Sequence, residues 1–125
     1  MAEKLNKKIL IVEDEAPLRN AVTDILTFEG FTVFQAKNGQ EGLDLALKEH
    51  PDLILLDLMM PIMDGPALIQ ALIKIQPGMP IIGASGLSQQ MQAKVAGLGV
   101  KHFLCKPYTA SALLDSLSEV LAHGG

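Results

Sequence analysis

Residues 53–65 read LILLDLMMPIMDG, a run of four apolar residues that ends in a carboxylate and then a turn. A continuous aliphatic run of this length is typical of a strand buried on both faces, as parallel strands between helices are. Asp57 therefore lies where a buried strand ends, in a partly desolvated position that is costly unless a cation or hydrogen bonds compensate the charge. Because a lone Asp in such a place more often only caps a turn, its companions decide its role.

The same pattern occurs near the N-terminus, where residues 9–12 read ILIV and run directly into acids. Apolar residues at helical spacing follow each predicted strand, and Thr109 is the predicted N-cap of the last helix. Five strands that alternate with five helices predict a doubly wound α/β fold, with one parallel sheet, helices on both faces and right-handed crossovers. Ligands of such folds bind beyond the carboxyl ends of the strands.

Polar residues occupy those strand ends. Carboxylates forced together in a low-dielectric pocket repel one another, and a divalent cation relieves the repulsion. Oxygen ligands with room for water favour Mg²⁺ or Mn²⁺ over zinc, and a lysine with a hydroxyl opposite would complete a cradle for a phosphoryl group. We therefore predict an aspartate that accepts a phosphoryl group. The residues are Glu13 and Asp14 after the first strand, Asp57 at the end of the third, Ser85 at the end of the fourth and Lys106 at the end of the fifth.

Each of these residues also has a simpler explanation. Asp14 could be the N-cap of the first helix, Ser85 an ordinary turn residue and Lys106 a solvated surface lysine. Their coincidence at one edge of the predicted sheet outweighs the separate explanations.

Composition excludes several functional classes. The chain has 125 residues, ten basic and fourteen acidic residues, four Phe, one Tyr and no Trp. This length fits a single domain over residues 1–125, with frayed residues 1–7, and the acidic balance and few aromatic side chains argue against direct nucleic-acid contact.

Cys105 is the single cysteine of the sequence, which excludes an internal disulfide, and we expect it to be a small core residue. With neither a signal peptide nor a membrane span, we expect a cytoplasmic setting.

In order and spacing, these residues resemble the response-regulator receiver domains of two-component signalling over essentially the whole chain. The resemblance rests on the Glu13-Asp14 pair, on Asp57 with the following MPIMDG of residues 60–65, on Ser85 and on the Lys106-Pro107 step. It implies a flavodoxin-like sheet with strand order 2-1-3-4-5 and a cis Lys106-Pro107 peptide. The chain looks like a chemotaxis regulator, while the turn after Ser85 and residues 103–109 also resemble the receivers of hybrid histidine kinases.

The resemblance further implies a metal site. Asp57 would be the phosphoacceptor and a ligand of Mg²⁺, for which Mn²⁺ could substitute. Asp14 would bind the ion directly and Glu13 mostly through water, with the backbone carbonyl of Met59 as a further ligand.

It also implies a switch. Ser85 would bind a phosphoryl oxygen and Lys106 would pair with the same group, while Ser85 and Phe103 would change position together. Phe103 stands where the family more commonly has tyrosine. The implied phosphoryl donor is a histidine kinase, a histidine phosphotransfer protein or a small acyl phosphate. The implied output is a partner protein or a homodimer, which would bind through the fourth helix, the fifth strand and the fifth helix.

Alternatives to a signalling phosphoacceptor remain open. By resemblance the chain would be no enzyme, since it would catalyse only its own phosphorylation and dephosphorylation. A degenerate receiver would bind proteins without phosphorylation. An Asp- and Mg-dependent phosphatase would carry a second acid two residues after the nucleophile, where Met59 stands, and a flavin-binding protein would want glycine and hydroxyls where the first loop has acids.

Overall fold

The predicted alternation of strands and helices is confirmed by a computed structural model, which describes residues 7–60, 65–86 and 89–122. Two parts of the earlier predictions lie outside the described residues. They are residues 1–6 of the N-terminus that we expect to be frayed, and residues 61–64 of the quoted motif. The strands are β1 (Lys8–Val12), β2 (Thr32–Ala36), β3 (Leu53–Asp57), β4 (Ile81–Ser85) and β5 (His102–Cys105). The helices are α1 (Ala16–Phe28), α2 (Gly39–Glu49), α3 (Gly65–Ile75), α4 (Gln89–Ala96) and α5 (Ala110–Ala122).

All neighbouring strands pair in parallel, in the order β2-β1-β3-β4-β5. The doubly wound α/β fold and its strand order are therefore both confirmed. Within the described ranges, no helix is long and apolar enough to cross a membrane.

Both sides of the sheet are covered, which explains why the central strands are apolar at every position. Successive side chains of a strand point to opposite sides, so each strand contributes to two separate cores. The core under α1 and α5 contains Ile9, Ile11, Leu53, Leu55, Val22, Leu26, Leu113 and Leu117. The core under α2, α3 and α4 contains Leu10, Val12, Ile54, Leu56, Ala46, Ile69, Leu72 and Val95.

Parallel backbone pairing continues one residue beyond three of the strands. As a result, the first residue of each following loop has a fixed position at the carboxyl edge of the sheet. These hydrogen bonds run from Glu13 N to Ala36 O (3.0 Å), from Leu58 N to Ala84 O (2.8 Å) and from Lys106 N to Ser85 O (2.7 Å).

Two local expectations have opposite outcomes. The Thr109 hydroxyl accepts a hydrogen bond from Ala112 N at 3.0 Å, so the predicted N-cap of α5 is confirmed. The expectation that Cys105 is a core residue is wrong, because its side chain is exposed. The physical reason is that β5 lies at the edge of the sheet and Cys105 is its last residue, so a neighbouring strand is present on one side only.

Gly83 leaves room for two larger side chains on the α4 side of the sheet. It stands directly opposite Phe103 in the register of β4 and β5. A methyl group at Gly83 would lie 2.8 Å from Leu58 Cδ1 and 3.4 Å from Phe103 Cδ1. The Phe103 ring and the Leu58 side chain therefore pack where other residues of β4 would place a side chain.

Gly83→Ala should lower the free energy of unfolding by about 1–3 kcal/mol, because the added methyl overlaps Leu58. In a Leu58→Ala background the same substitution should cost much less, which a double-mutant cycle by urea denaturation measures. Gly86→Ala is the matched control, since a methyl group there meets no atom within 4 Å. Strict additivity of the Gly83 and Leu58 substitutions would contradict this packing.

Candidate functional site

Three carboxylates meet beyond the carboxyl ends of β1 and β3. Glu13, Asp14 and Asp57 each direct one oxygen into a cluster in which all three oxygens lie within 4.8 Å of one another. Glu13 and Asp57 are only 4% and 3% exposed, whereas Asp14 is exposed. Asp57 follows Leu53 and Leu55 at every second position, so a carboxylate continues a buried apolar row at the last residue of β3.

Lys106 lies between the two buried acids. Its Nζ is 2.9 Å from Glu13 Oε1 and 3.2 Å from Asp57 Oδ2. Two like charges 4.8 Å apart repel by about 3 kcal/mol at an effective dielectric constant of about 20. The ammonium offsets this repulsion, and the interpretation of Lys106 as a solvated surface lysine is wrong because its side chain is only 16% exposed.

The charges of the cluster do not balance, because one ammonium faces three carboxyl groups. Burial raises the pKa of Glu13 from 4.5 to about 7, against the lowering effect of the Lys106 hydrogen bond and together with the raising effect of Asp57. Burial lowers the pKa of Lys106, but the hydrogen bond to Glu13 and the charge of Asp57 outweigh burial and raise it overall. Lys106 is therefore charged at neutral pH, and the site still carries an excess of acid.

The Asp57 carboxylate is held at both oxygens. Oδ2 contacts Lys106, and Oδ1 accepts a hydrogen bond from Met59 N at 2.8 Å. The Met59 side chain itself is 51% exposed. The role expected of the Met59 carbonyl as a metal ligand stays a prediction.

Ser85 brings a buried hydroxyl to the end of β4. The residue is fully buried, and its Oγ has no hydrogen-bond partner in the described part of the chain. A buried hydroxyl without a partner costs about 1–3 kcal/mol of folding free energy. An acceptor oxygen that binds beside Ser85 would remove this cost. An ordinary turn residue would instead be exposed and hydrated.

Two residues near the cluster gave no signal in the sequence. Arg19 on α1 donates from Nη1 to Glu13 O at 2.8 Å, a contact between a side chain and a backbone carbonyl that no residue pattern marks. Tyr108 is half-buried beside the cis Lys106-Pro107 peptide, whose expected cis form is confirmed. Burial, reinforced by the charge of Glu13, raises the pKa of Tyr108 to about 12, so its phenol stays protonated at neutral pH.

The N-cap of α1 is Glu15 rather than Asp14, and Glu15 makes no side-chain capping hydrogen bond. The simpler explanation of Asp14 as a helix cap is therefore wrong. Its carboxylate is free to face the other two acids.

Ser85→Ala should raise the free energy of unfolding of the free protein by about 1 kcal/mol, because it removes a buried hydroxyl that has no partner. Thr109→Ala deletes a hydroxyl that does accept a hydrogen bond and should lower it by about 1 kcal/mol. Urea denaturation of both variants without divalent ions measures the two signs. A Ser85→Ala protein that is as destabilised as Thr109→Ala would contradict the unpartnered hydroxyl.

Comparisons with known proteins agree with this geometry. Residues 9–118 match the family model of the response regulator receiver domain. The chain is 35% identical to the chemotaxis protein CheY of Thermotoga maritima over 118 residues, which cover 93% of this chain and 98% of that protein. It is 32% identical to sporulation initiation phosphotransferase F of Bacillus subtilis over 118 residues, covering 94% and 95% of the two chains.

Solved structures show the same likeness. A CheY-like response regulator receiver domain protein from Methanospirillum hungatei superposes with a TM-score of 0.89 at 32% identity, covering 94% of this chain and 95% of that one. Other curated relatives are longer, and the chain spans only 34% to 50% of their length.

Proposed function

The chain belongs to the response-regulator receiver family, and on that premise we propose that Asp57 accepts a phosphoryl group and thereby changes the surface that the domain presents to its partners. The observation that carries the proposal is the contact of one ammonium, Lys106 Nζ, with both Glu13 and Asp57. Ser85 adds a fully buried hydroxyl at the same edge of the sheet, with no hydrogen-bond partner among residues 7–60, 65–86 and 89–122. A phosphoryl group needs cations and donors around its oxygens, and this edge of the sheet supplies both. The proposal treats residues 1–125 as one receiver domain.

The donor set of the cluster fits a hard divalent cation. Its groups are all oxygen donors within 4.8 Å of one another, and their excess negative charge has no further cationic partner among the described residues of the cluster. Glu13, Asp14, Asp57 and the carbonyl of Met59 would hold Mg²⁺, or Mn²⁺ in its place. When bound, the ion would supply positive charge to the oxygens of the incoming phosphoryl group.

The chain's own residues would then act in a simple sequence. A carboxylate oxygen of Asp57 attacks phosphorus in line, and the bond to the donor breaks, which is a P–N bond in phosphohistidine and a P–O bond in an acyl phosphate. Lys106 exchanges its contact with Glu13 for one with the phosphoryl oxygens and keeps its proton throughout. Ser85 Oγ donates to a phosphoryl oxygen and so gains a partner, where no described residue of the free protein provides one.

The switch would run along the α4 side of the sheet. Ser85 and Gly83 alternate with Ala84 on β4, so both face the side on which Phe103 packs. Movement of Ser85 toward the phosphoryl group would change the space beside Gly83 and bias two existing positions of the Phe103 ring. Phe103 lacks a hydroxyl, so this switch works by packing alone.

The partners in this proposal follow from the chemistry. A histidine kinase or a histidine phosphotransfer protein would supply the phosphoryl group, and α4, β5 and α5 would form the surface for an output protein or a homodimer. The domain would catalyse only its own phosphorylation and dephosphorylation. Binding of nucleic acid is not part of the proposal, and the cytoplasmic setting expected from the sequence stays a prediction.

Acetyl phosphate with Mg²⁺ should add one phosphoryl group to the wild-type chain, visible by intact mass, and none to Asp57→Asn. Asp24→Asn is the matched control, because it removes one exposed carboxylate from α1, away from the cluster. Chelation of divalent ions should abolish the adduct in the wild type and the control alike.

An unmodified wild type, also with a competent kinase present, would contradict the proposal and favour the degenerate, phosphorylation-independent alternative. Continuous release of phosphate from added phosphomonoesters would instead favour the phosphatase alternative, although Met59 stands where that class has its second acid.

A further inference from the structure

Arg19 anchors the loop that carries two of the three acids. Its Nη1 donates to Glu13 O at 2.8 Å and lies 3.5 Å from Asp14 O. The first distance is that of a full-strength hydrogen bond, and the second is at the outer limit of one. Glu15 provides no side-chain cap for α1. The hydrogen bond from Arg19 to Glu13 O therefore links the helix to this loop.

Other described contacts fix Glu13 but leave Asp14 without an anchor of its own. Glu13 N donates to Ala36 O at 3.0 Å, and Glu15 N donates to Glu13 Oε2 at 3.2 Å. The Asp14 side chain is exposed and makes no hydrogen bond or ion pair with another described residue. The placement of Asp14 therefore depends on the backbone around it, and Arg19 contacts the carbonyl oxygens of the two peptides that flank the Asp14 Cα.

We propose that Arg19 is a positioning residue for the metal site. By holding the carbonyls of Glu13 and Asp14, it keeps the Asp14 carboxylate within 4.8 Å of the other two acids before any cation binds. A loop that is already ordered does not have to be ordered on binding, so metal affinity rises. This inference rests on the proposed function, since it requires a divalent cation at the cluster.

Electrostatics alone predicts the opposite effect for Arg19. A guanidinium close to the acids repels an incoming cation, so a variant without that charge would bind Mg²⁺ more tightly if charge were its whole contribution. Positioning predicts weaker binding by the same variant. The sign of the change in affinity therefore separates the two roles.

The test compares Arg19→Met with Arg19→Lys and Lys37→Met. Arg19→Met should weaken Mg²⁺ binding by roughly tenfold, in the range found for residues that orient metal ligands. Arg19→Lys should recover part of the loss, because lysine keeps a donor but lacks the planar fork of arginine. Lys37→Met is the matched control: it removes one positive charge just after β2 from a residue paired with Glu41 at 3.9 Å, outside the acid loop.

Isothermal titration calorimetry with Mg²⁺, and counting of free Mn²⁺ by electron paramagnetic resonance, report these affinities without any phosphorylation. Far-ultraviolet circular dichroism checks that each variant is folded, and Arg19→Gln, which keeps a neutral donor, replaces the methionine variant if that one unfolds. Affinity of the Arg19 variant that equals or exceeds the wild-type value, or a loss matched by Lys37→Met, overturns the inference. A wild type without saturable binding, or with binding that Asp14→Asn and Asp57→Asn do not weaken, contradicts the proposed function itself.

Discussion

The ammonium of Lys106 stabilises the buried acids at the carboxyl edge of this sheet. Glu13 and Asp57 are buried side by side, and the ammonium of Lys106 offsets their repulsion from 2.9 Å and 3.2 Å. The contact joins the ends of β1, β3 and β5, so three strands share one electrostatic constraint. Since one ammonium does not balance three acids, the same contact leaves the site ready for a further cation.

The parallel sheet provides the rest of the arrangement. Backbone hydrogen bonds that continue past β1 and β5 fix the backbone positions of Glu13 and Lys106 independently of their side-chain contacts. Two apolar cores, one on each side, hold the strands in register. Both faces of the central strands are therefore apolar, and the polar side chains of the site lie at the carboxyl end of the sheet. A rigid scaffold with an unbalanced charge cluster, and with a Ser85 hydroxyl that no described residue satisfies, is suited to a group that brings both charge and acceptor oxygens.

Much of this could be predicted from the sequence, and the exceptions have physical causes. An apolar run that ends in an acid marks both a buried strand and its carboxyl end, which places Glu13 and Asp57 at one edge of the sheet. Lys106 is placed at the same edge because it follows the fifth predicted strand. Cys105 could not be placed correctly, because its exposure follows from the position of β5 at the sheet edge. Arg19 acts on backbone carbonyls, which no side-chain pattern reveals. The role of Gly83 depends on its partner across the strands, and that partner is known only once the register is.

In the proposed function, the acids, Lys106 and Ser85 surround one position for a phosphoryl group. A crystal structure of the chain with Mg²⁺ and beryllofluoride, a mimic of the phosphoryl group, would show whether they do. We expect beryllium on a carboxylate oxygen of Asp57, Mg²⁺ in contact with Asp14 and Asp57, and fluorine atoms within hydrogen-bond distance of Ser85 Oγ and Lys106 Nζ. A structure in which the ligands bind elsewhere, or in which Ser85 Oγ does not contact fluorine and Lys106 stays on Glu13, would show that these residues do not form a phosphoryl site.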